Sequence, residues 1–116
     1  MKKDLVIIPP GAKKAGNVII EMKRSLGDFN YILVDYNIDD FSDENKVRRG
    51  IKVLRKKILG EIFKNPPRRI ILYASGSCWY IAVIATVLSN AGIDYEIWTF
   101  ERKVDKPVKT VEAKDI

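Results

Sequence analysis

A chain of 116 residues, 47 % apolar and 31 % charged, suits one globular domain with its own core and leaves no room for a second. It has no histidine and a single cysteine, Cys78, which excludes imidazole general bases, Ser-His and Cys-His nucleophile pairs, histidine-containing metal sites and an intrachain disulfide. Its 21 Lys and Arg against 15 Asp and Glu give a net charge of +6, a balance that favours anionic partners or simply a solubilising surface.

Met1-Lys2-Lys3-Asp4 precedes only a few apolar residues before Pro9-Pro10, too few for a secretory core. The longest apolar stretch, Cys78 to Leu88, is too short to span a bilayer. The expectation is a cytoplasmic protein without membrane contact. Asp4 to Ile8 reads as a buried strand that stops at Pro9-Pro10-Gly11. Ala15 to Leu26 places Val18, Ile19, Met22 and Leu26 at helical spacing, with Gly27-Asp28 as its stop. Asn30 to Asp35 is a second strand, and Tyr36 to Ser42 is polar and irregular. Ser42 or Asp43 can cap a long amphipathic helix on which Val47, Ile51, Leu54, Ile58 and Ile62 recur, ended by Asn65-Pro66-Pro67. Arg69 to Ala74 is the third strand and Ser75-Gly76-Ser77 a tight turn. Cys78 to Asn90 is a nearly all-apolar helix that ends at Asn90-Ala91-Gly92. Asp94 to Phe100 is the fourth strand.

The β-α-β-α-β-α-β order implies α/β architecture: a Rossmann-like three-layer sandwich with a mainly parallel sheet in the order 2-1-3-4. Residues 1–103 form this domain, and residues 104–116 a charged C-terminal tail or an edge hairpin. In such sheets ligands bind beyond the carboxyl ends of the strands at the switch point, here between strands one and three. Two loops meet there. The first offers Pro10, Gly11, Lys13 and Lys14; the second offers Ser75, Gly76, Ser77 and Trp79. Small residues admit a ligand to the backbone, a helix start exposes N–H groups to an anion, and Trp79 or Tyr80 supplies an aromatic wall. Each piece has a plainer reading: a capped strand-to-helix turn, solvated lysines, aromatics against a dimer partner, an inert Cys78. No cofactor and no metal are expected. Asp35, Asp39 and Asp40 could hold Mg²⁺, but three acids in one loop are more often solvent-facing. The long helix carries Lys46, Arg48, Arg49, Lys52, Arg55, Lys56 and Lys57, suited to nucleic-acid phosphates or, more simply, to a solvated face. The phosphate-loop, dinucleotide, nucleophile-elbow and C-x-x-C motifs are absent from the sequence.

The run from Arg69 to Trp98 (RIILYASGSCWYIAVIATVLSNAGIDYEIW), with the opening LVIIPPG from Leu5 to Gly11, resembles the CARF and SAVED domains, Rossmann-like sensors of cyclic oligonucleotides in CRISPR and related antiviral systems. The resemblance spans roughly residues 4 to 100 and rests on pattern more than on motif. It implies a homodimer with a cyclic oligoadenylate or similar nucleotide lying across the two-fold axis on paired loops. Pro10, Gly11, Lys13, Ser75, Gly76, Ser77 and Trp79 would touch the ligand. Without a fused effector domain, the implied role is a standalone sensor or a metal-independent ring nuclease. In the second case Lys13 and Ser77 are the candidate catalytic residues, acting by positioning and charge stabilisation. Two readings need no small-molecule ligand: a protein-interaction module using the helix Cys78 to Asn90 and the strand Tyr95 to Trp98, or nucleic-acid binding through the basic helix.

Overall fold

Asp4–Ile8 (β1) has five consecutive buried residues, which only a strand covered on both faces can sustain. Its side chains alternate: Leu5 and Ile7 enter one core, Val6 and Ile8 the other. The computed structural model describes residues 2–11, 15–34 and 37–116. In chain order, β1 is followed by α1 (Ala15–Leu26), β2 (Phe29–Leu33), α2 (Glu44–Lys64), β3 (Ile70–Tyr73), α3 (Cys78–Asn90), β4 (Glu96–Glu101) and β5 (Lys106–Glu112).

The sheet order is β2-β1-β3-β4-β5. β1 pairs in parallel with β2 (Ile7 opposite Ile32) and with β3 (Val6 opposite Ile71), and β3 in parallel with β4 (Leu72 opposite Ile97). The sheet is mainly parallel, as expected, but its order extends the expected 2-1-3-4 by a fifth strand: β5 returns antiparallel to β4 as an edge hairpin, with Thr99 opposite Val108. The connection turns at Asp105, whose φ is +53°. Pro107 sits opposite Phe100 on this outer strand, where a missing N–H disturbs no further ladder.

The helices divide between the two faces. Val18 and Met22 of α1 pack with Val6, Ile8, Ile71, Tyr73 and Trp98. On the other face, Leu54, Ile58 and Ile62 of α2 and Tyr80, Ile84 and Leu88 of α3 pack with Leu5, Ile7, Ile70 and Leu72. These are three- and four-residue spacings, one stripe per helix. α2 begins at Asp43, whose carboxylate accepts from the N–H groups of Asn45 (3.0 Å) and Lys46 (3.2 Å) and so satisfies two first-turn donors. Among the described residues no helix is long and apolar enough to cross a membrane.

Candidate functional site

Both central strands run parallel, so their carboxyl ends open on the same side of the sheet. β1 stops at Pro9-Pro10, because proline cannot donate to a ladder. β3 runs out at Ala74, whose N–H goes to the Trp98 carbonyl at 2.7 Å. The two following loops then touch. The Ser77 N–H donates to the Pro10 carbonyl at 3.2 Å, and a Cβ built on Gly11 would lie 3.4 Å from the Ser77 nitrogen and 3.8 Å from the Gly76 Cα. Gly11 (φ +81°) and Gly76 (φ +100°) both occupy the left-handed region that side chains disfavour. Pro10, Gly11, Gly76 and Ser77 are thus neighbours although more than sixty positions separate the segments in sequence. Ser75 belongs to the same turn, its N–H bonded to the Tyr73 carbonyl at 2.9 Å. Lys13 and Lys14 lie outside the described residues.

Ser77 is the N-cap of α3 in extended conformation, yet its side chain makes no capping hydrogen bond. The first-turn N–H groups of Cys78, Trp79 and Tyr80 have no hydrogen-bond partner among the described residues. They carry the positive end of the helix dipole and suit an anion. The Ser77 N–H itself is spent on Pro10, so the free amides of the first turn are those of Cys78, Trp79 and Tyr80, with the uncapped Ser77 hydroxyl beside them.

The two aromatic candidates have different fates. Tyr80 is buried, and its hydroxyl accepts the Ile38 N–H at 2.7 Å, so it ties down the β2–α2 loop and is no open wall. Trp79 is half-buried. Its ring meets Phe41 edge-on, with centroids 5.0 Å apart, and it lines a groove between α2 and α3. Phe41, half-exposed on the loop before α2, is the residue that sequence reasoning passed over. Its signal was a lone aromatic among acids, in Asp39-Asp40-Phe41. Those acids serve the loop itself. Asp39 pairs with Lys46 at 3.3 Å, and Asp40 accepts from the Ser42 N–H (2.9 Å) and hydroxyl (2.5 Å), bonds that hold its carboxyl below the usual value. Asp35 lies outside the described residues. Cys78 is exposed.

A second polar cluster sits at the opposite, amino end of the sheet. Asp4 is buried within it. Arg68 grips its carboxylate with Nε at 2.9 Å and Nη2 at 3.1 Å. The Arg69 Nε lies 3.0 Å from the Asp4 Oδ2 but does not aim its hydrogen there, and is buried without a hydrogen bond. The Arg69 guanidinium stands 5.8 Å over the Trp98 ring, and the Trp98 Nε1 donates to Glu96 at 2.9 Å. Burial pushes the Asp4 carboxyl up, but the Arg68 hydrogen bonds and the positive charges of Arg68 and Arg69 outweigh it and hold the group below its ordinary value. This cluster clamps the starts of β1, β3 and β4. It faces away from the loop site.

Compared with known proteins, the chain matches no protein-family model, no curated protein and no solved structure.

Proposed function

We propose that this chain is a Rossmann-like binding domain that takes an anionic nucleotide where the loops after β1 and β3 meet. The supporting observation is the Ser77–Pro10 hydrogen bond, which brings Gly11 against the uncapped amino end of α3. A phosphate there would accept from the first-turn amides of α3, and Lys13 and Lys14 would supply countercharge from the adjoining loop. The resemblance to cyclic-oligonucleotide sensors narrows the ligand to a cyclic oligoadenylate and the assembly to a homodimer sharing it. The domain is then a sensor or, where the ligand is cut, a metal-independent ring nuclease.

Calorimetry with cyclic di-, tri- and tetra-adenylate and with linear adenylates is the test. The expected result is binding that weakens about tenfold, near 1.4 kcal/mol, in Lys13→Ala. Ser77→Ala should change affinity far less, because the Ser77 backbone N–H and not its side chain makes the loop contact. Chromatography of the bound ligand after incubation with protein and EDTA separates sensor from nuclease. Heat-silent titrations with every nucleotide would reject the proposal.

A further inference from the structure

α2 and α3 lie side by side on one face of the sheet without closing on each other. Between them runs a groove of about 400 Å³, with Ile51, Arg55 and Leu59 on one wall and Trp79, Val83 and Val87 on the other. The α3 wall has an unusual surface. No residue from Cys78 to Asn90 is charged, yet Ala82 and Thr86 are exposed along it. The Thr86 hydroxyl is turned back on the Ala82 carbonyl at 2.8 Å. A solvent-facing helix surface without charge is what a helix shows where a partner covers it.

The α2 wall is the opposite in character. Eight basic and two acidic residues give this helix +6, the whole excess of the chain, since the remaining residues hold thirteen of each sign. Arg55 lines the groove, and Lys52 stands three residues before it on the same helix; both are exposed and without an acidic partner among the described residues. We infer that the groove docks an acidic amphipathic helix, its apolar stripe against Leu59, Val83 and Val87 and its carboxylates along Lys52 and Arg55. A second copy of this chain fits poorly, because a two-fold contact through the groove would set one +6 helix against another and α3 brings no acid to offset it. Nucleic acid suits the charge but not the wall, which is mainly aliphatic: Ile51, Leu59, Val83 and Val87 give bases no stacking surface, and the Trp79 ring is already engaged edge-on with Phe41. The inference does not rest on the nucleotide reading, although Trp79 borders both sites.

The probe is a synthetic helical peptide with leucines along one face and glutamates on both flanks, followed by amide chemical shifts of the whole protein. Expected are shifts confined to Ile51, Leu59, Val83 and Val87 and their neighbours. The same peptide with lysine for glutamate should bind at least about tenfold more weakly. Ala82→Glu, an exposed change on the apolar wall, should abolish binding with unfolding temperature unchanged. The double variant Lys52→Glu/Arg55→Glu should lose the glutamate peptide and gain the lysine one. The inference is overturned by equal binding of both peptides or by shifts elsewhere on the surface. It is equally overturned by an oligonucleotide that displaces the peptide from the same wall, or by sedimentation showing a dimer that shields these residues.

Discussion

Asp4 is 2 % exposed and opens a strand of apolar neighbours, a position that a carboxylate tolerates only when its charge is matched. Arg68 and Arg69 supply the match across the start of β3. The folded-state carboxyl is held below its unfolded value, near 3.9. Its stabilisation is therefore complete above that value and is lost as pH falls through the folded one. Asp4→Asn should cost about 2 kcal/mol at pH 7, in the range for hydrogen bonds to charged groups. In urea unfolding, the gap between wild type and variant should close as pH drops below about 4; a gap constant from pH 7 to pH 3 would refute this role. The Tyr80 hydroxyl gives a second case. It is the acceptor for the buried Ile38 N–H, so Tyr80→Phe strands that donor at about 1–3 kcal/mol. Hydrogen exchange should then quicken at Ile38 before it does in β1. Neither contact could be read from sequence, because the partners lie 64 and 42 positions apart and no local period links a strand's first residue to an arginine before another strand.

Among the elements, those with strong local signals match their sequence reading closely. α3 begins at Cys78 and ends at Asn90 as the Ser-Gly-Ser turn and Asn90-Ala91-Gly92 predict, and α1 spans Ala15–Leu26. Asp43 proves to be the cap of α2 where Ser42 was equally eligible; Ser42 instead bonds to Asp40. Asp43→Ala should lower stability by about 1 kcal/mol, seen as a shift in thermal midpoint without loss of fold. β2 starts one residue earlier than its apolar run, because Phe29 pairs with Asp4 and drops into the α1-side core. β5 was the least legible element. KPVKTVE mixes proline and lysine with β-branched residues, a composition that suits either an edge strand or a tail. Only the ladder to β4 decides between them. The loops of the candidate site were legible as turns, and the parallel order brought them together, but their hydrogen bond was not. Gly11→Ala tests that contact: a side chain at φ +81°, 3.4 Å from the Ser77 nitrogen, should cost about 1–3 kcal/mol and weaken nucleotide binding along with it.

At the scale of the whole molecule, the sheet sorts its tasks by end and by face. The amino ends of the strands hold the Asp4–Arg68 clamp, the carboxyl ends hold the paired loops, and the α2/α3 face holds both the basic charge and the open groove. The α1 face is closed differently. One helix must cover it, and α1 reaches over Trp98 and the outer strand while Tyr31 and Leu33 of β2 remain half-exposed. β5 therefore contributes to the core as well as to the edge: Pro107 is fully buried, and the strand occupies the hydrogen-bonding side of β4 that β3 leaves free. Ending the chain after Glu101 removes that cover, opens a groove beside α1 and leaves β4 as a bare edge rich in Ile97, Trp98 and Phe100. Such an edge is a template for pairing with another chain. The shortened protein should melt roughly 10 °C lower, the equivalent of losing about 2 kcal/mol in a domain of this size. It should also associate with rising concentration in light scattering, whereas the full chain does not associate through this edge. An unchanged melting temperature and unchanged mass would mean that β4 is protected by α1 alone and that the antiparallel hairpin carries no share of the fold's stability.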